Sequence, residues 1–364
     1  MHTRVSDSPP RRLLDRFREH PMLAGMPRLV PALKAYGGLR VSDPRLSRTG
    51  ESLGRIGALE VRLAHRAAEI RRAQRLRFDV FYQEMSAVAD AATLIARRDV
   101  DPYDAMCDHL LVLDHSRPAK PGVPAVVGTY RLLRQEIAER CGGFYSAGEF
   151  EIGPLVARHR GLRFLELGRS CVLPAYRNKR TVELLWHGIW TYVLRHKVDV
   201  MIGCASLEGT QPDALSLPLS FLHHYARAPE EWRVRALPHR YRTLDRLPKE
   251  AVDPKAALHR LPPLIKGYLR LGAFVGDGAV IDYQFGTTDI LIVLPVAAIN
   301  LRYIDHFGPA AERHAACTAV RRRIRSGSAH RYSRICSPPF LRASSFVLWK
   351  PCTRLALLFF VRHC

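Results

Sequence analysis

The chain has 364 residues, of which 47% are apolar and 25% are charged. This ordinary globular composition allows a sizeable core in one large domain or two small ones, and so excludes a chain that lacks a buried interior. Lys and Arg total 56 against 34 Asp and Glu, a formal net charge of +22. The excess predicts attraction to nucleic acid, anionic lipid or an acidic carrier protein, and charge alone does not choose among them.

Hydrophobic periodicity predicts alternating strands and helices after an N-terminal extension at 1–56 that is rich in Pro, Gly and Arg. In chain order the predicted elements are a strand at 59–64, a helix at 67–85, a hairpin of strands at 109–114 and 125–133, a strand at 164–173, a helix at 182–197, a strand at 198–206, a helix within 214–227 and closing strands within 279–293. The helix at 182–197 is predicted to have an apolar stripe that consists of Val182, Leu185, Trp186, Ile189, Trp190 and Val193. The region 237–264, which contains five prolines, is predicted to be rich in loops. This order predicts an α/β (α+β) fold with a mixed central sheet flanked by helices.

The end of the chain differs from its middle. Residues 57–308 are predicted to form the folded domain, and 309–364 a basic, cysteine-containing tail that is disordered or atypical. From Ala310 to Cys364 there are ten arginines and one lysine against a single acid, Glu312. A basic segment that lies on a membrane surface is the alternative for this tail.

Several features predict a cytoplasmic protein, with peripheral contact to the inner membrane as an alternative that the charge leaves open. The first 18 residues contain no apolar core of a signal peptide, and the most apolar run, Ile290–Ile299, is about half as long as a membrane span. The cysteines from Cys107 to Cys204 are widely spaced, without a Cys-x-x-Cys pair. His223 and His224 have no suitably spaced partner, so no metal is predicted.

One predicted strand carries the three candidate catalytic residues, Glu166, Arg169 and Ser170, within an apolar run. Desolvation there would raise the pKa of the Glu166 carboxyl towards a value that suits a general base. Alternation along a strand places Glu166 and Ser170 on one face and Arg169 on the other, so only a bulge near Gly168 would bring all three together. The alternative is that Glu166 forms an ion pair with Arg169 or Arg131 that only stabilises the fold.

A basic turn links this strand to the next predicted helix. Its candidate residues for binding a phosphate are Arg177, Lys179, Arg180 and Thr181. A helix N-terminus can bind a phosphate through backbone N–H groups and the helix dipole, although a solvated basic corner is the alternative. Because no glycine-rich loop is present, one phosphate held mainly by side chains is favoured over a pyrophosphate. A carboxylate beside a phosphate site suits transfer of a group on a phosphorylated arm, which predicts an acyltransferase.

An acidic cluster precedes the predicted hairpin in this otherwise basic chain. It consists of Asp99, Asp101, Asp104 and Asp108. One interpretation is a site that recognises a basic amino acid as substrate, and the alternative is a solvated loop. A calcium loop is disfavoured, because glycine and glutamate are absent from the required positions.

Taken together, several segments resemble the bacterial L-ornithine N-alpha-acyltransferases, which are often called haemolysin-like. The segments are Arg75-Leu-Arg-Phe-Asp-Val-Phe81, Asp101 to Val112, Gly128-Thr-Tyr-Arg-Leu-Leu133, Glu166-Leu-Gly-Arg169 and Gly276-Asp-Gly-Ala-Val-Ile-Asp282. That family belongs to the GCN5-related N-acyltransferase superfamily and is similar to acyl-homoserine-lactone synthases. The resemblance covers about residues 59–307 and implies that 57–308 is an N-acyltransferase domain.

The resemblance implies transfer of a 3-hydroxyacyl group from acyl carrier protein to the α-amine of L-ornithine, the first step of ornithine-lipid synthesis. By similarity to the lactone synthases it implies six site residues, namely Arg77, Asp101, Asp104, Arg131, Glu166 and Arg169. The pyrophosphate loop of the superfamily is replaced here by Arg177-Asn-Lys-Arg-Thr181. This departure argues against coenzyme A and for a carrier-bound donor, so no separate cofactor is expected.

Two other functions remain as alternatives. An autoinducer synthase that uses S-adenosylmethionine is disfavoured by the extra length and by the Gly276–Asp282 segment. A nucleic-acid-binding protein is suggested only by the charge, much of which lies in the tail, and no zinc finger or aromatic RNA-binding motif supports it.

Overall fold

The computed structural model describes residues 50–299. The predicted tail at 309–364 and most of the predicted N-terminal extension lie outside this range. The strands are β1 (Ser52–Ile56), β2 (Leu59–Leu63), β3 (Asp108–Lys120), β4 (Val123–Arg134), β5 (Phe164–Val172), β6 (Val200–Glu208), β7 (Phe274–Asp282) and β8 (Thr287–Pro295). The α-helices are α1 (Ala67–Phe78), α2 (Ala91–Ala96), α3 (Gln135–Cys141), α4 (Ile152–Arg158), α5 (Lys179–His196), α6 (Ser216–Ala226), α7 (Pro254–Arg260) and α8 (Pro263–Leu271).

The eight strands form one mixed sheet in the order β1-β2-β3-β4-β5-β6-β8-β7. Neighbouring strands are antiparallel except β5 and β6, which are parallel and are joined through the crossover helix α5. The predicted mixed sheet flanked by helices is therefore confirmed. Strand β1 lies inside the segment assigned to the N-terminal extension and pairs with β2.

Helices cover both faces of the sheet, as the apolar run in β3 shows. Leu110 and Val112 pack in the same cluster as the apolar stripe of α5. The alternating residues Leu111 and Leu113 pack instead with Ala73 of α1 on the other face. A strand buried on both sides has to be apolar at successive positions, which explains why this stretch does not alternate.

Helix α5 confirms the predicted apolar stripe. All six residues of the stripe are buried, namely Val182, Leu185, Trp186, Ile189, Trp190 and Val193. The helix begins at Lys179, three residues before its predicted start, because the Asn178 side chain accepts a hydrogen bond from the Thr181 N–H and caps the first turn. No helix within residues 50–299 is both long and apolar enough to cross a membrane.

Strands β5 and β6 pair only at their first residues. Their register runs from Phe164 opposite Val200 to Glu166 opposite Ile202, although both strands continue well beyond. At the point of divergence a side chain on Gly203 would place its Cβ 2.3 Å from the Leu167 carbonyl oxygen, so only glycine fits there. The divergence opens a cleft in the middle of the sheet.

The loop-rich prediction for 237–264 is wrong in part. Helix α7 lies inside this region, and α8 begins there at Pro263. Both helices have proline in the first turn, where its missing N–H has no intrahelical acceptor to lose, and Asp253 caps α7. Pro254 and Pro263, two of the five prolines in this region, therefore mark helix starts.

Candidate active site

The cleft between β5 and β6 has a volume of about 180 Å³. Its β5 wall runs from Glu166 to Ser170 and its β6 wall from Cys204 to Ser206, with the Tyr103, Tyr130 and Tyr145 rings around it. The three predicted catalytic residues, Glu166, Arg169 and Ser170, therefore lie together in one cavity.

A bulge in β5 brings these residues together, as the alternation argument requires. Thr129 of β4 lies opposite Cys171 and Arg131 opposite Gly168, so β5 has one extra residue in this interval. Arg169 takes up the extra length with a φ of +50°, a left-handed conformation that is uncommon for a non-glycine residue. The bulge turns the Arg169 side chain to the cleft face beside Glu166.

Glu166 is buried and holds a turn of the chain. Its Oε2 accepts a hydrogen bond from the Tyr145 N–H at 2.7 Å, and its Oε1 accepts one from the Ser146 N–H at 2.7 Å. Burial raises the pKa of the Glu166 carboxyl, and these hydrogen bonds and the positive charge of Arg131 only partly oppose that effect. The structural partners of Glu166 are thus backbone N–H groups rather than the arginines, and its raised pKa suits a proton acceptor.

Behind the cleft lies a network of buried arginines and aspartates. Arg77 is completely buried and donates from both terminal nitrogens to Asp104, at 2.9 and 2.7 Å. Its Nε lies 2.8 Å from Asp99 Oδ2. Arg131 Nη1 lies 3.0 Å from Asp101 Oδ1 and 3.3 Å from Asp104 Oδ1.

Arg169 completes this network. Its Nη2 donates to Asp101 Oδ2 at 2.9 Å. Burial alone would raise the pKa of Asp101 and Asp104, but the guanidinium groups around them lower it, so both stay ionised. Their charges are already balanced by Arg77, Arg131 and Arg169.

The network determines which of the predicted site residues reach the cleft. Arg131 and Arg169 line the cavity, whereas Arg77, Asp101 and Asp104 lie behind it. The guanidinium carbon of Arg131 lies 5.3 Å from the centre of the Tyr145 ring, and that of Arg169 lies 5.2 Å from it. The buried aspartates therefore position two arginines against an aromatic ring.

Asp108 is separate from this network. It starts β3, accepts a hydrogen bond from the Tyr192 hydroxyl at 2.6 Å and lies 3.7 Å from Arg134 Nε. Since Tyr192 belongs to α5, Asp108 belongs to the contact between helix and sheet. The structure does not bring this predicted substrate-binding residue to the cleft.

The basic turn lies next to the cleft. Arg177 lines a small adjoining pocket that shares Tyr130 and Ser170 with the main cavity. Arg177 forms an ion pair with Glu84, and its Nε donates to the Val172 carbonyl at 3.0 Å. The other candidates for phosphate binding are Lys179, which lies 3.5 Å from Glu183, the exposed Arg180 and the buried Thr181.

The structure also reveals an acidic group that the sequence analysis missed. Carboxylate oxygens of Glu149, Asp282 and Asp289 all lie within 4.8 Å of one another, and the two aspartates line the cleft. Asp282 ends the 276–282 segment that carries part of the family resemblance, so a signal existed for this residue. Glu149 and Asp289 stand in segments with no distinctive pattern.

A second group lies elsewhere, on α6. His223 Nε2 and His224 Nε2 each lie 3.7 Å from an oxygen of Asp245. The prediction that these histidines lack a suitable partner is therefore wrong, because the loop after α6 brings Asp245 next to both rings. His224 Nε2 also lies 2.9 Å from the Leu247 carbonyl oxygen, so this ring nitrogen already has a hydrogen-bond partner.

Comparisons with known proteins identify the family. The acetyltransferase (GNAT) domain family matches residues 76–187. The L-ornithine N(alpha)-acyltransferase of Rhizobium meliloti is 58% identical over 285 residues, which cover 78% of this chain and 95% of that protein. The protein of the same name from Brucella abortus is 54% identical over 278 residues, which cover 76% of this chain and 99% of that protein. The solved structure of the acyl-homoserine-lactone synthase LasI has a TM-score of 0.37 at 11% identity and covers 68% of this chain and 94% of its own.

The two curated relatives are similar to this chain over nearly their whole length. The chain therefore belongs to the L-ornithine N(alpha)-acyltransferase family of GNAT-domain proteins.

Proposed function

We propose that this protein transfers an acyl group from a thioester donor to the α-amine of L-ornithine. The observation that carries the proposal is the cleft between β5 and β6, where a buried carboxyl of raised pKa, Glu166, stands beside Arg131 and Arg169 in a chain of this family. The product is an N-acyl amino acid, the lyso form of an ornithine lipid.

Glu166 acts as the base in this reaction. The α-amine nitrogen attacks the thioester carbonyl carbon, the new C–N bond forms, and the C–S bond breaks. The attacking nitrogen loses a proton to Glu166, directly or through a water molecule, and the departing thiolate gains a proton. Although each oxygen of Glu166 accepts a backbone N–H, a carboxylate has about four lone-pair positions in all, so proton transfer remains open to it.

Arg169 binds the carboxylate of the acceptor. The Arg169 Nη2 donates its hydrogen bond to Asp101. Within residues 50–299 no group accepts a hydrogen bond from the Arg169 Nη1. A guanidinium suits bidentate recognition of a carboxylate, and the aromatic rings of Tyr145 and Phe285, at 5.2 and 4.8 Å, hold its plane. Ser170 follows Arg169 on the bulge and lies beside both the cleft and the pocket of Arg177.

The acyl donor is carried on acyl carrier protein. The Asn178 side chain already accepts the Thr181 N–H at 3.2 Å, which leaves fewer backbone donors at the start of α5 than a pyrophosphate needs. One phosphate of a carrier arm is a better fit to Lys179 and Arg180. Because β5 and β6 stop pairing after Glu166, their facing edges can accept hydrogen bonds from an extended arm that carries amides.

The positive charge of the chain favours contact with two acidic partners, the carrier protein and the membrane surface. An acidic carrier protein would be steered towards a chain of net charge +22, and the anionic inner-membrane surface could receive the lipid product. Binding to anionic vesicles, measured by co-sedimentation at two salt concentrations, tests the membrane contact.

The purified chain tests the function directly. Incubation with a 3-hydroxyacyl carrier protein and ornithine should give an N-acylated ornithine, detected by mass spectrometry, and the same acyl group on coenzyme A should react poorly. Turnover only with the coenzyme A thioester would overturn the carrier as donor. Absence of product with either donor would overturn the function.

A further inference from the structure

The acidic group of Glu149, Asp282 and Asp289 lies on the same face of the sheet as the proposed base. Glu149 follows the turn that Glu166 holds through its two N–H contacts. Burial raises the pKa of the Cys204 thiol, as do the charges of Glu149, Asp289 and Glu166 in that order. Cys204, which lines the cleft, therefore lies near the proposed base Glu166 and near two members of the acidic group, Glu149 and Asp289.

This group has more negative charge than its surroundings balance. Within residues 50–299 the only ion pair to any of the three carboxylates is from Arg240, whose Nη2 lies 3.3 Å from Glu149 Oε1. The other side-chain partners of the group are neutral. Cys204 Sγ lies 3.3 Å from Glu149 Oε2, Thr287 Oγ1 lies 2.8 Å from Asp289 Oδ1, and Ser206 also hydrogen-bonds Asp289. Burial and mutual repulsion raise the pKa of Glu149 to about 7 and that of Asp289 to about 6.

One carboxylate oxygen of the group is open to a ligand. Asp282 is only 9% exposed, and its Oδ1 accepts the N–H groups of Gln284 and Phe285 at 2.8 and 3.1 Å. Its Oδ2 has no hydrogen-bond or ion-pair partner in the part of the chain that the structure describes, and the side chain lines the cleft. This oxygen is reached from the cleft, so a cation that enters the cleft can donate a hydrogen bond to it.

We propose that Glu149, Asp282 and Asp289 form the subsite for the side-chain ammonium group of the diamino-acid acceptor, an inference that rests on the proposed function. An ammonium group is a compact cation with three donors, and it matches carboxylate oxygens that converge from three directions. With its α-amine at Glu166 and its carboxylate at Arg169, a basic amino acid extends its side chain past Cys204 into this group. The aspartates predicted for this role, Asp101 and Asp104, are already paired with arginines.

The test compares ornithine with norvaline, which has the same carbon chain but no terminal amine. The full chain and its Asp282→Asn variant are assayed with both acceptors at saturating acyl donor. The asparagine keeps the Oδ1 contacts to the 282–285 turn and places a neutral amide where Oδ2 stood, so the fold should be retained. Asp289→Asn serves as a second variant, and Glu208→Gln, an exposed carboxylate at the end of β6, is the matched control.

The wild-type chain should prefer ornithine over norvaline by at least about 100-fold in kcat/KM. Asp282→Asn should raise the KM for ornithine by about 10- to 100-fold, the usual effect of losing one charge-assisted hydrogen bond, and should leave norvaline unchanged. The control should keep the wild-type ratio. If the ratio of kcat/KM for ornithine to kcat/KM for norvaline is unchanged in both aspartate variants, the subsite is overturned and the proposed acyl transfer is not affected.

Two further measurements separate the remaining outcomes. Calorimetry of ornithine binding without acyl donor measures the contribution of the subsite even if acyl transfer fails. Equal affinity for ornithine and norvaline in this measurement would overturn the subsite. Turnover that is abolished by EDTA and restored by Mg²⁺, with Asp282→Asn requiring more Mg²⁺ than the wild-type chain, would show that the three carboxylates hold a metal ion, which also overturns the assignment.

Discussion

Substituting Glu166 with glutamine tests whether this residue has two roles, in the chemistry and in holding the adjacent turn. The carboxylate accepts both the Tyr145 and the Ser146 N–H, each at 2.7 Å. A glutamine offers one carbonyl oxygen, so it satisfies one N–H and turns its own amide hydrogens towards the other. One buried donor is left without an acceptor, and the second contact loses its charge.

The magnitude follows from these contacts. An unsatisfied buried donor costs about 1–3 kcal/mol, and the change from a charged to a neutral acceptor costs about 1 kcal/mol more. Part of this is recovered, because burial disfavours the ionised carboxylate, as its raised pKa indicates. We expect a net loss of about 2 kcal/mol in the free energy of unfolding, which for a domain of this size lowers Tm by about 4–8 °C.

The assay measures Tm by calorimetry, and kcat and KM well below both melting temperatures. Loss of the base should lower kcat by roughly 10²–10⁴-fold in the folded variant. Glu139→Gln is the control, because Glu139 is exposed and, within residues 50–299, accepts a hydrogen bond only from Gln135. An unchanged Tm would refute the role in holding the turn, and a wild-type kcat would refute the role as base.

Three other outcomes follow from the buried charges and the basic turn. Arg77→Lys should lower the free energy of unfolding by about 3 kcal/mol in chemical denaturation, because lysine cannot keep both contacts to Asp104, and a loss below about 1 kcal/mol would contradict this. Arg180→Glu should raise the KM for acyl carrier protein and weaken its salt dependence without changing the KM for ornithine, and the reverse pattern would exchange the two substrate sites. The folded-state pKa values of Glu149 and Asp289 are raised, so the stability that their protonation provides is fully present below about pH 4 and is lost as pH rises through about 6 to 7. The melting temperature without ligand should therefore fall across that window, and it should fall less in Asp289→Asn.

Sequence patterns predicted the sheet and its central helix because those elements depend on local periodicity. The apolar stripe of α5 and the strand that carries Glu166 were found in this way, as was the need for a bulge. The glycine next to the bulge suggested its place, but the left-handed residue is Arg169 itself. The ion pairs and stacked rings that surround Arg169 can compensate for this strain, and they come from parts of the chain that sequence spacing does not connect.

The two acidic groups show what sequence patterns could not decide. Both consist of aspartates or glutamates in a basic chain, and their difference lies in how many cations face them after folding. Around Asp99, Asp101 and Asp104 the arginines of three separate elements balance the charge. In the described part of the chain the group that includes Asp282 forms an ion pair with a single guanidinium, that of Arg240. This imbalance arises only when β7, β8 and the 145–148 turn come together.

The short turn Tyr145–Gly148 connects these two groups physically. At its start the Tyr145 ring lies against the arginines that the aspartate network positions, and just after its end Glu149 joins the acidic group beside the cleft. Glu166 holds the turn through both N–H groups of its first two residues. The proposed base therefore also sets the separation between the sites proposed for the carboxylate and for the ammonium group of the acceptor. A diamino acid of the right length is then the ligand that can satisfy all three at once.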